Sequence, residues 1–241
     1  MVQNDIKAYT GSSFSWRIVI LFVLLGTILS QFLSFIAIKS GILFTSFLET
    51  YHIDQVNAFL SIYCISSFLS GILVLLYCRS KKISLKEIGL QGKITFQMCL
   101  SSLFFVVVGV LLYSFFEDVL HMQMYWSANQ SYSVIPSSVT DIILLVFCTG
   151  ILVPIGEDIV FRGLLLSKLN SRYSEISSLF IASFIFAIVH LPFYGPGLTL
   201  YMFFWTCISC TLFFKYQSLY PCMLFHILNN ILAYIILPLL F

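Results

Sequence analysis

Six ionisable side chains stand inside runs that are otherwise apolar: Asp141, Glu157, Asp158, Arg162, His190 and His226, with the amide of Asn230 beside them. At the centre of a spanning helix such a group costs about 2.5–3.5 kcal/mol, so each needs a compensating partner or a chemical role. A carboxylate, two imidazoles and an amide are the types that hydrolysis by an activated water requires: a base for the water, and donors for the oxyanion. The same carboxylate and imidazoles are also zinc-ligand types. The sequence contains no HExxH and no GxSxG, so the familiar zincin and serine-hydrolase patterns are absent.

The spacings repeat at four residues: Asp158 to Arg162, Phe186 to His190, and His226 to Asn230. Four residues along a helix is one turn on the same face. Asp158 and Arg162 can therefore pair, lowering the cost of both. Phe186 places a ring beside the His190 imidazole, and His226 and Asn230 point two hydrogen-bonding groups into one space. Glu157 lies about 100° round the helix from Asp158, so the two acids need not share a partner, which would leave Glu157 available to act. Asp141 follows Ser137, Ser138 and Thr140 and reads as part of a helix cap.

The elements that must position these groups are membrane helices. The chain has 241 residues, 60% of them apolar and only 9% charged, with a mean hydropathy of +1.01. A soluble domain carries about 25% charged residues, so a bilayer must solvate most of this surface. The expected fold is an all-α polytopic bundle of about seven transmembrane helices, within a range of six to eight. The spans are predicted at 17–38, 56–78, 96–116, 138–169, 174–190, 198–216 and 220–240, with a short extra helix near Ile42–Tyr51. The fourth is too long for one straight span, and Pro154 and Gly156 predict a kink there. Leu191–Gly197 reads as a Pro/Gly-rich turn. At about 1.5 Å per residue, Glu157 lies about 18–20 Å from the turn near residue 170, His190 about 24 Å, and His226 and Asn230 about 10–15 Å from the loop near Gln217. Straight helices would leave them at different levels, so tilt or a break must bring them together.

Lys and Arg gather in alternate loops: Arg79, Lys81, Lys82, Lys86 and Lys93 after the second span, Lys168 and Arg172 near residue 170, and Lys215. Glu49, Asp54, Glu117 and Asp118 occupy the opposite loops, with Lys39 as the exception. This bias predicts a cytoplasmic N-terminus. The net charge of +2 gives no nucleic-acid signal. The seven cysteines lie in or beside apolar runs and read as packing residues, including the Cys207–Cys210 CxxC. The first three spans carry almost nothing ionisable. One continuous membrane domain is therefore expected, with residues 1–137 as scaffold helices behind a polar N-terminal tail and residues 138–241 carrying the chemistry.

Three segments resemble the motifs of one family, in its order. Gly156–Leu165 (GEDIVFRGLL) looks like the EExxxR motif of the CPBP family, which comprises CAAX prenyl proteases and bacterial bacteriocin-processing and immunity proteins. Phe186–His190 (FAIVH) resembles its FxxxH motif, and His226–Asn230 (HILNN) its HxxxN/D motif. Asp158 departs from the pattern, in which a second Glu is usual. The resemblance covers roughly Asp141–Phe241. It implies an intramembrane endopeptidase with Glu157, His190, His226 and Asn230 as catalytic residues, and with Asp158, Arg162 and Phe186 in support. Both descriptions of the family's chemistry stay open. In one, Glu157 is a general base. In the other, Glu157, His190 and His226 hold zinc. The implied substrates are membrane-associated peptides or proteins of CAAX-like, pheromone-like or bacteriocin-like type. The implied location is a multi-pass place in a bacterial plasma membrane. The competing reading is a non-catalytic membrane protein, such as a bacteriocin self-immunity scaffold or a small transporter component.

Overall fold

The computed structural model describes residues 13–29, 55–122 and 138–240, and every regular element among them is helical. Helix α1 is Trp16–Leu24, opened by the Ser15 side chain accepting from the Ile18 N–H and continued by a π turn at Leu25–Leu29. Helix α2 is Gln55–Ser80. Helix α3, Phe96–Ser114, starts on a Thr95 cap and runs into a π turn at Phe115–Val119. Helix α4 spans Val139–Asn170. Helix α5 is Glu175–Ile188, capped by Ser174, and α6 is Leu191–Tyr216. Helix α7, Tyr220–Ile231, continues through a π turn at Leu232–Ile236 into Leu237–Leu240. The helix expected near Ile42–Tyr51 lies outside the described residues, as does the latter half of the first span.

Three of these stretches are long and apolar enough to cross a membrane: Phe96–Val119, Val139–Asn170 and Tyr194–Tyr216. Four shorter apolar helices accompany them: Trp16–Thr27, Cys64–Ser80, Glu175–Ile188 and Tyr220–Ile236. Their outward faces are apolar, as on α3, where Phe96, Leu100, Leu103, Phe104, Val107 and Leu111 are all exposed. That exposure fits a chain solvated by lipid, and the whole is a helical membrane bundle.

Helix α4 lies at the centre, packed against α2, α7 and α5. Around Pro154 and Gly156, where a kink or a span followed by a tilted segment is expected, the helix has two wide turns, Val146–Leu152 and Ile159–Leu166, on either side of the short α-helical piece Val153–Asp158. The Val153 N–H reaches back to the Cys148 carbonyl, an i→i−5 bond. Pro154, which has no N–H to donate, follows directly, so the chain relieves the proline by widening the turn before it. Gly156 serves a different purpose. A Cβ there would lie 2.5 Å from the Ser67 carbonyl oxygen and 2.6 Å from the Phe68 Cα, so only glycine lets α2 come this close. Gly71 completes the contact from the other side: its Cβ would meet the Gly156 Cα at 2.9 Å.

The loop after α2 also docks on the central helices. Ile88, in the 3₁₀ turn Leu85–Ile88, is fully buried, and a Cβ on Gly163 would approach its carbonyl to 3.1 Å. Gly89 (φ 78°) accepts the Leu219 N–H at 2.9 Å. The glycine of the FRGLL run is thus a seat for this loop.

Leu191–Gly197 is not simply a turn. Residues 191–194 form one helical turn, and Gly195, at φ 68° and ψ 176°, breaks the path before the long part of α6 begins. A backbone at that φ favours glycine over any L side chain.

Candidate active site

Glu157 and Asp158 close the short piece of α4 between its two wide turns, and both are buried. Asp158 pairs with Arg162 at 3.1 Å, as the four-residue spacing predicts. Arg162 is completely buried. Its guanidinium lies 4.1 Å from the Phe186 ring centroid and 5.5 Å from that of Trp205, and a terminal nitrogen is 3.4 Å from the Thr206 hydroxyl. A desolvated cation over an aromatic face gains about 2 kcal/mol. The rings thus help offset a charge that the ion pair alone would leave costly. Phe186, read from sequence as a ring beside His190, is also a face for Arg162.

The two acids, which need not share a partner, both lie near His226. Its Nε2 is 3.9 Å from a Glu157 carboxylate oxygen and its Nδ1 is 3.6 Å from Asp158 Oδ1. The imidazole stands between neighbouring carboxylates that a helical wheel would point apart. Both distances exceed a hydrogen bond, so the acids act on the ring through their field. Trp205 meets His226 edge-on at 4.9 Å and stacks on Phe225 at 4.8 Å, forming an aromatic wall behind the imidazole.

Asn230, one turn beyond His226, donates from Nδ2 to the Thr149 carbonyl at 2.9 Å. Thr149 lies in the first wide turn of α4, where the regular i→i−4 ladder is interrupted. The amide therefore ties α7 to α4 one turn from the imidazole. Gly150 adds a close approach there, since a Cβ would lie 3.1 Å from Ile231.

His190 caps the start of α6. Its Nδ1 is 2.6 Å from the Phe186 carbonyl oxygen, which can only accept, so Nδ1 carries the proton and Nε2 presents a lone pair. Its electrostatic neighbours include Glu157, His226 and Arg162. The four groups singled out by residue type thus gather around α4, despite the unequal depths that straight helices imply. Asp141 stays apart from them: the Ser138 side chain accepts its N–H at 3.1 Å, so it belongs to the first turn of α4 as expected. Ser137 lies outside the described residues.

Sequence reasoning did not single out Trp205, Thr206, Thr149, Tyr194 or Tyr234. Trp205 was hidden among 3 Trp, 13 Tyr and 25 Phe. Tyr194 and Tyr234 could have been found, because they extend the four-residue series Phe186–His190 and His226–Asn230 by one more step.

The zinc set of Glu157, His190 and His226 was tested against the donors present. Among the described residues, no three His, Cys, Asp or Glu side chains are grouped so as to hold a metal ion. His190 keeps a lone pair at Nε2, but among the described residues no two further donors converge with it. As arranged, Glu157, His190 and His226 do not make a three-ligand site. All seven cysteines are free, Cys207 and Cys210 included.

A bundle of apolar helices enclosing a carboxylate pair, two imidazoles, an arginine and an amide is a polytopic membrane protein with a polar cluster inside it. Residues 138–232, fewer than half of the chain, are similar to the family model described as type II CAAX prenyl endopeptidase Rce1-like. No curated protein and no solved structure matches the chain.

Proposed function

We propose that this chain is an intramembrane endopeptidase in which Glu157 activates a water, with His190, His226 and Asn230 completing the site. The observation that carries this reading is His226 poised 3.9 Å from Glu157 within one buried group. His190 Nε2 accepts a hydrogen bond from the water, and Glu157 removes its other proton as the oxygen attacks the scissile carbonyl carbon, after which the C–N bond breaks. A ring N–H of His226 and the second amide N–H of Asn230 donate to the oxyanion, since an NH2 has two donors and one is committed to Thr149. One such donor contributes about 3–4 kcal/mol. Glu157 then returns the proton to the leaving amine. Asp158, Arg162 and Phe186 hold the framework and take no proton.

Under this reading residues 138–241 form the catalytic half and residues 1–137 the scaffold. The N-terminus is cytoplasmic and the membrane is a bacterial plasma membrane. The substrate is a membrane-associated peptide of CAAX-like, pheromone-like or bacteriocin-like type. Cleavage of quenched-fluorescent peptides of these three types by purified protein tests it. The Glu157→Gln variant should express and insert normally and cleave none of them; undiminished cleavage would overturn the assignment. Activity should survive exhaustive chelation. Loss restored by zinc alone would replace the metal-free mechanism.

A further inference from the structure

The His190 imidazole is held on two sides. Phe186, four residues before, meets it at 4.6 Å between ring centroids, and Tyr194, four residues after, lies nearly parallel to it at 5.8 Å and 18°. The Tyr194 N–H bonds to the His190 carbonyl at 3.1 Å, so both residues belong to the helical turn that ends at Gly195. The Tyr194 hydroxyl is 3.2 Å from that of Tyr234, in the π turn that continues α7 beyond His226 and Asn230. Glu157 is among the electrostatic neighbours of Tyr194. Helix α7 is tied to α4 by Asn230 and Thr149. The hydroxyl pair ties the same helix to the turn that carries His190.

The geometry points to Tyr194 as a positioning residue, which fixes the His190 ring by stacking and couples it to α7 through the Tyr234 hydroxyl. This inference rests on the proposed site. Within it, the tie sets the distance between the water-orienting imidazole on one element and the oxyanion donors on another. Hydrolysis is sensitive to that distance, because a misplacement of about 1 Å can cost about a hundredfold in rate. Loss of the hydroxyl contact should let the turn before Gly195 shift while every group of the site remains present.

The test uses the full chain in detergent with Tyr194→Phe, Tyr234→Phe, the double variant and Tyr194→Leu. Cleavage of a quenched-fluorescent peptide bearing a prenylated CAAX tail is followed, and the His190 imidazole ¹⁵N signals are recorded. Each Tyr→Phe variant should lower kcat about fivefold with KM within about twofold, and the double variant should lose no more than either single, because one shared contact is removed. Tyr194→Leu, which also removes the stack, should fall about thirtyfold. His190 signals should move in Tyr194→Phe and Tyr234→Phe alike. Wild-type kcat with unmoved His190 signals in both Tyr→Phe variants would overturn the proposal. So would additive losses that track a fall in folded yield. If Tyr194→Leu fails to fold, the Tyr→Phe pair decides alone. If the wild-type protein cleaves no peptide, the protease reading fails, and the ¹⁵N signals still decide whether the hydroxyl pair positions His190.

Discussion

Where α2 meets α4 the contact is backbone on backbone, through Gly71 and Gly156 with Ser67 and Phe68 beside them. Where α7 meets the same helix, the contact is made by polar side chains: His226 toward two acids and Asn230 on the Thr149 carbonyl. Glu157 sits next to Gly156 and faces His226, so it is held between these two kinds of contact. The first is defined by the absence of side chains and has no chemistry of its own. Small residues at such a crossing let helices approach closely in an apolar setting, where dispersion drives association. The second is polar, and under the proposed function it supplies the donors and acceptors that a water-activating group needs. One contact fixes where the helix is, and the other decides what the helix can do.

Substitutions can separate the two contacts, and the largest effect is expected at the pair both depend on. Arg162→Leu strands the buried Asp158 carboxylate beside His226, and breaking a buried pair from one side costs about 3–5 kcal/mol. Folded yield and melting temperature in detergent should fall together, with activity lost as a consequence. An inactive variant that melts like the wild type would show that Arg162 acts on the reaction instead.

Gly156→Val attacks the glycine contact alone. Its Cβ would be pressed against the Ser67 carbonyl, and overpacking of this kind costs about 1–3 kcal/mol. The expected result is a lower melting temperature and reduced activity, with Glu157 displaced. An unaltered melting curve would mean that α2 can retreat at no cost and that the glycine contact fixes nothing.

Asn230→Leu attacks the polar contact. It leaves the Thr149 carbonyl without this donor, a loss of about 1–3 kcal/mol where the group stays buried. It also removes an oxyanion donor, so turnover should fall about a hundredfold, well beyond what the stability change explains. A loss of stability with unchanged kcat would make Asn230 a fastener only.

The smallest effect is expected from Asp158→Glu. The longer side chain still reaches Arg162, but Asp158 also faces His226 at 3.6 Å. Turnover should fall about threefold through the shifted imidazole, with melting temperature nearly unchanged. A hundredfold loss would mean that Asp158 itself touches the reacting atoms.

Much of this was legible in residue types and spacing. Apolar runs located the helices, because a bilayer solvates only self-satisfied backbone. The four-residue spacing of Asp158 and Arg162 specified their pair, because one helical turn is a local geometry that does not depend on the rest of the fold. The Phe186–His190 contact followed for the same reason. The role of Gly156 was not legible: a glycine two residues after a proline reads as a kink, and only the neighbouring α2 shows that the missing side chain makes room. The sharing of His226 by both acids was likewise beyond a regular helical wheel, because the local path of α4 includes two wide turns. Trp205 behind His226 and the Tyr194–Tyr234 tie join residues from different helices, and no spacing within one helix encodes them. Sequence alone thus determined which groups could do chemistry and their partners within a turn. The tertiary structure decided their partners across helices, because those depend on how wide turns, glycine contacts and a broken helix start set one helix against another.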